Sequence, residues 1–118
     1  IYNSESYIKL GKIYNNSQSQ EYFKKAIELN GKNSMAYYRY YFTHALAFNT
    51  VNQNKLVNEA ISILTEYLPY AENNIHYTAQ NTNIKEAMKL AKYIQNEDSR
   101  AKELLTKLIN AQKRFSRN

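Results

Sequence analysis

Two glycines and one proline are the only strong helix breakers in these 118 residues, and that scarcity constrains the fold more than any other feature. Between them run long segments whose apolar residues recur three, four and seven positions apart, the spacing that lines up one face of an α-helix. An all-α fold follows. A chain of this length fits one domain and buries roughly two-thirds of its unfolded surface. Cysteine is absent, which excludes disulfides and thiolate metal sites and fits every compartment. No apolar run approaches the roughly 20 residues that span a bilayer. The chain opens on Ile1 rather than Met, so it is expected to be a processed product or part of a longer chain or assembly.

The periodicity predicts about six helices. The first runs from near Ser4, as N-cap, to Asn15. A polar turn over Asn15–Gln20 leads to a second, from about Ser19 to Asn30-Gly31. A third follows Asn33-Ser34 and is apolar nearly all round from Ala36 to Phe48, a pattern that predicts burial between neighbours. After a loop over 49–54, a fourth helix presents Leu56, Ala60, Ile63, Leu64 and Tyr67 up to Pro69, which ends or kinks it or starts the next. Ile84, Ala87, Met88, Ala91 and Ile94 then face Ala101, Leu104, Leu105, Leu108 and Phe115 across a turn at Glu97-Asp98-Ser99, predicting a helical hairpin.

Tyr7, Leu10, Gly11 and Tyr14 form one stripe, and Phe23 and Ala26 follow on the next helix. This resembles the tetratricopeptide repeat, which writes aromatic-x2-Leu-Gly-x2-Tyr followed by an Ala/aromatic pattern. In this reading Gly11 lets the second helix approach closely near Ala26, offsetting the roughly 1 kcal/mol that glycine costs in a helix. Tyr7 to its counterpart Tyr37 is 30 residues, against about 34 in the family. Ser19 takes the place of a small packing residue, and Gly31 that of the inter-repeat Pro. The resemblance covers 4–48 specifically, 49–70 weakly and 71–118 by continuation. It implies a short α-solenoid of about three antiparallel pairs, 4–33, 34–70 and a basic hairpin over 71–118, within a single domain. Ile8 and Ile13, beside the Tyr/Leu stripe, point to an upstream neighbour or a partner, or else simply close the end of the solenoid.

The first helix of each pair lines the concave groove in that family, so the resemblance implies ligand contacts from Lys9, Lys12, Asn15, Asn16, Tyr38, Arg39 and Phe42. Two registers remain for the second pair. A frame starting at Tyr37 puts Tyr41 where a small residue belongs, and one starting at Tyr41 suits Ala45 and Phe48 but leaves a long loop.

Formal charge is +6, of which +5 lies from Asn83 onward, where nine basic residues meet four acidic ones. Lys85, Lys89 and Lys92 share a helix face, and Lys113, Arg114 and Arg117 extend the positive charge. Acidic protein, nucleic acid or anionic lipid would be attracted there. Nucleic acid is the weaker choice, because the tyrosines and this strip lie on different segments.

Arg39 and His44 spell R-x4-H, which resembles the signature of HEPN ribonucleases, in which the Arg stabilises phosphate and the His transfers a proton, commonly across a dimer. Tyr40 departs from the polar residue that family carries after the Arg. His76 has no second ligand at metal-binding spacing, and neither a phosphate loop nor a Ser/His/Asp arrangement occurs. No metal, cofactor or catalysis is expected. The sequence reading is a scaffold or interaction module for a peptide or protein partner, with the nuclease and a basic adaptor on nucleic acid or lipid as alternatives.

Overall fold

A computed structural model describes residues 3–30, 34–49, 51–73 and 78–116. All regular structure among the described residues is helical: α1 (Ser4–Tyr14), α2 (Ser17–Asn30), α3 (Met35–Phe48), α4 (Gln53–Asn73), α5 (Thr78–Ile94) and α6 (Ser99–Ser116). None of these helices is long and apolar enough to cross a membrane. The chain forms two compact units, residues 1–56 and 57–118, with the division inside α4 and so inside the segment expected to form the second pair. Gly31, His76, Arg117 and the side chain of Phe115 lie outside the described residues.

Unit 1 begins with a cap one residue earlier than expected. Asn3, not Ser4, is the N-cap, accepting from the Ser6 backbone N–H at 2.9 Å, because its extended backbone aims the amide oxygen at the first turn. Ser4 is thereby already helical, and its Oγ lies 3.2 Å from the Tyr37 hydroxyl. The connection to α2 is also shorter than the six-residue turn expected. Asn15 adopts the left-handed region (φ 45°, ψ 46°) that Asn tolerates, closing α1 through its N–H to the Gly11 carbonyl. Asn16 then caps α2: its Oδ1 accepts from the Gln18 N–H at 2.9 Å, while Ser19 Oγ accepts from the Asn16 N–H at 3.0 Å. This reciprocal cap starts the helix at Ser17.

A two-residue connection brings α1 and α2 into contact. Gly11 is buried, and a Cβ placed on it would collide with the Phe23 ring. The close approach expected near Ala26 is therefore made on Phe23, one turn earlier. Ile8, Phe23, Ala26 and Tyr37 form the core of this unit, flanked by Tyr7, Ile27, Ala36, Tyr40 and Tyr41. Ile8 is thus buried by its own unit, whereas Ile13 is exposed. α3 packs on α2 and also reaches α1, where the Tyr37 hydroxyl donates to Glu5 Oε1 at 2.8 Å. α3 is not buried all round, since Phe48 at its end is half exposed. Gln53, expected in a loop, opens α4 and donates its side-chain N–H groups to the carbonyls of Leu46 and Asn49, satisfying orphan acceptors at the end of α3.

In unit 2, α4 runs through Pro69 to Asn73 instead of ending there or leaving a new helix to start. Proline's φ is compatible with a helix, and Thr65 and Pro69 are both exposed, so the lost hydrogen bond lies on the solvent side of α4. Of the expected stripe of α4, Leu56, Ala60 and Leu64 are buried and Ile63 and Tyr67 only half-buried, while Val57, Ile61 and Ala71 complete the buried face. α5 and α6 pack together as expected. Ile84, Ala87, Leu90, Ala91 and Ile94 are buried on α5, and Ala101, Leu104, Leu108 and Ala111 on α6. The alanines allow the helices to approach closely. Asp98 caps α6 by accepting from the Arg100 N–H at 2.9 Å and grips the Arg100 guanidinium at 2.7 Å. The hydrogen bonds from Arg100 hold its carboxyl below the usual range. Arg100 also donates to Asn58 Oδ1 at 2.6 Å, linking α4 to α6.

Candidate functional site

The expected groove residues separate into three groups. Asn15 and Asn16 serve the α1–α2 turn as left-handed cap and N-cap. Phe42 is only 3% exposed and meets the Tyr41 ring edge-on at 5.1 Å, so it packs within unit 1 and leaves the set of groove candidates. Lys9 and Lys12 are exposed, and Tyr38 and Arg39 half-buried. These four retain accessible surface on α1 and α3.

Tyr40 organises this face. Lys12 Nζ lies 4.3 Å from the centroid of its ring and Arg39 Cζ 4.6 Å from the same centroid. Both cations are attracted by the ring's electron density, which holds two long side chains near one another at a cost in mutual repulsion. The ring in turn stacks on Phe23 at 5.9 Å, so the core fixes its position. Glu5, the carboxylate of α1, is engaged by the Tyr37 hydroxyl, and burial raises the pKa of that phenol. Sequence reading missed Tyr40, because Lys12 and Tyr40 meet only once α1 and α3 are packed. The adjacent Arg39-Tyr40 pair was the one local signal.

A second aromatic row lies between α1 and α2. Tyr22 stacks on Tyr14 at 5.3 Å and on Tyr7 at 6.4 Å, with Lys25 Nζ 5.8 Å from the Tyr7 centroid. Cations of α1, α2 and α3 therefore lie over rings of unit 1, while the basic strip of α5 and α6 remains on a different segment from these tyrosines. Divided by unit, formal charge is +4 over residues 1–56 (seven basic, three acidic) and +2 over 57–118 (nine basic, seven acidic).

The basic strip of α5 is solvent-facing as expected: Lys85, Lys89 and Lys92 are exposed, and Lys89 pairs with Glu86 at 3.3 Å. Lys113 and Arg114 are exposed near the end of α6.

Arg39 and His44, five residues apart on one helix, point roughly 140° away from each other. His44 stacks on Phe48 (centroids 4.4 Å) and meets Phe23 edge-on (5.7 Å). Both imidazole nitrogens are buried and lack a hydrogen-bond partner, and burial lowers the ring's pKa. Among the described residues no three His, Asp or Glu side chains gather as metal ligands. No family model, curated protein or solved structure matches the chain.

Proposed function

We propose that the chain is a non-catalytic interaction module, a tetratricopeptide-like helical-repeat protein that holds an acidic peptide or protein partner on the α1/α3 face of unit 1. The carrying observation is the convergence of Lys12 and Arg39 on Tyr40, in a unit of formal charge +4. Arg and Tyr supply much of the binding energy of protein interfaces, and side chains already held in place lose less entropy on binding. Lys9 and Tyr38 extend the same surface. The expected arrangement of three antiparallel pairs, over 4–33, 34–70 and 71–118, belongs to this proposal. Its support is the α1–α2 pair, the packing of α3 on α2 and its reach to α1, and the α5–α6 pair.

Burial of both His44 nitrogens counts against the nuclease alternative, since proton transfer requires a nitrogen within hydrogen-bond reach of the substrate. The adaptor alternative draws on the exposed Lys85, Lys89 and Lys92 of α5.

The test is affinity capture with the full chain and with a Lys12→Glu/Arg39→Glu variant of equal helicity. Loss of the acidic partners from the variant is expected. An unchanged partner set would overturn the assignment of the face.

A further inference from the structure

We infer that His44 is an acid-sensitive latch in unit 1: its neutral imidazole holds the last turns of α3 against α2, and a proton on the ring releases that contact. The inference concerns the stability of unit 1 and does not depend on what the unit binds.

The ring stacks on Phe48 and meets Phe23 edge-on, with neither nitrogen hydrogen-bonded. A neutral imidazole without partners already forfeits the hydrogen bonds it makes in water, and an imidazolium there would be a buried charge with two unsatisfied donors. The surroundings offer no compensation. The charged side chains of α2, Glu21, Lys24, Lys25 and Glu28, are all exposed. On α3 the neighbouring ionisable groups are Tyr41, Tyr40 and Arg39, from α1 Lys12 sits over Tyr40, and at the start of α4, whose Gln53 caps α3, Lys55 is exposed. Glu5 is held by Tyr37. Burial alone lowers the pKa of the ring, with no carboxylate offsetting it.

A protonated His44 must accordingly reach water. Phe48, which covers one face of the imidazole, is half exposed at the very end of α3, so the least costly route is for the last turn to lift. That movement strips Phe23 of its edge partner and disturbs the capping of Leu46 and Asn49 by Gln53. Phe23 is the ring that fills the space left by Gly11, so the loosening reaches the α1–α2 contact.

The sign follows from linkage. The pKa of the packed ring lies below the ordinary 6.5, so the open state binds the proton more tightly. The latch is fully closed above about pH 6.5. It weakens as pH falls below that value, by up to about tenfold in the closed-to-open ratio per pH unit, until the packed ring itself titrates.

Two measurements on the full chain test this. In a His76→Gln background, His44 is the sole histidine and its ring protons can be followed by NMR. Titration below 6.5 is expected, and titration at or above 6.5 would overturn the latch. Hydrogen exchange, corrected for intrinsic rates, should show protection of the Ala45–Phe48 amides falling as pH drops from 7 to 5. In His44→Phe, which keeps an aromatic ring but cannot titrate, protection should stay level. An equal fall in both proteins would overturn the inference. If His44→Phe does not fold, His44→Gln takes its place, and the NMR titration decides independently.

Discussion

Gly11→Ala is a substitution whose sign, and not just its size, discriminates between explanations. Alanine is a better helix former than glycine by roughly 1 kcal/mol, so on an open helix face the change would stabilise the protein by about that amount. At this position the new Cβ would sit 2.7 and 2.8 Å from Phe23 Cδ1 and Cζ, against an ordinary contact of 3.4–4 Å. The ring must therefore withdraw by more than 0.6 Å. It has little room to do so, being 3% exposed and flanked by Tyr40 at 5.9 Å and His44 at 5.7 Å. Overpacking of this kind costs roughly 1–3 kcal/mol, which outweighs the propensity gain and leaves a net loss of about 1 kcal/mol. The assay is hydrogen exchange of the α1 and α2 amides, which reports on this helix pair even though the chain has two units. Phe23→Leu provides the control: with the ring removed, Gly11→Ala should cost less or become favourable, giving a coupling of at least 0.5 kcal/mol in a double-mutant cycle. A stabilised Gly11→Ala, or zero coupling, would refute the close approach of α1 and α2.

Two further outcomes follow from the caps and from titration. Asn3→Ala should cost about 1 kcal/mol of α1 stability, while Ser4→Ala should not reproduce that loss at the first turn; the reverse order in α1 amide protection would return the cap to Ser4. In unit 2, burial pushes the Tyr67 phenol up to about 12. Its value in the folded state exceeds the unfolded value of 10, so its contribution is complete below about pH 10 and is lost as pH rises toward 12. Urea midpoints should therefore fall between pH 9 and 11 by more in the parent chain than in Tyr67→Phe, and identical losses would show that another group governs alkaline unfolding.

What the sequence revealed was periodic, and what it hid was non-local. The six helices, the hairpin of α5 and α6, and the solvent-facing strip of Lys85, Lys89 and Lys92 follow from spacing, because a helix repeats every 3.6 residues whatever surrounds it. The Gly11 stripe was likewise legible, although the side chain it admits is Phe23. Helix ends were misjudged where several capping residues compete: Asn3 won over Ser4, and Asn16 with Ser19 absorbed residues that look like loop. Pro69 misled because its cost depends on which face of α4 it occupies, a tertiary fact. The cation pair on Tyr40 and the burial of Phe42 depend on how α3 lies across α1 and α2, and neither register of the repeat pattern settles that.

The two-residue joint between α1 and α2 has a kinetic consequence. Bringing Phe23 onto Gly11 closes a very short stretch of chain, and the entropy of closure grows with the length of the segment that must be looped. Asn15 and the reciprocal bonds of Asn16 and Ser19 turn the backbone at that joint without help from distant residues. Contacts so close in sequence form early in folding, since they do not wait for long-range encounters. The α1–α2 pair is therefore the natural nucleus of its unit. α3 then adds to a surface already made.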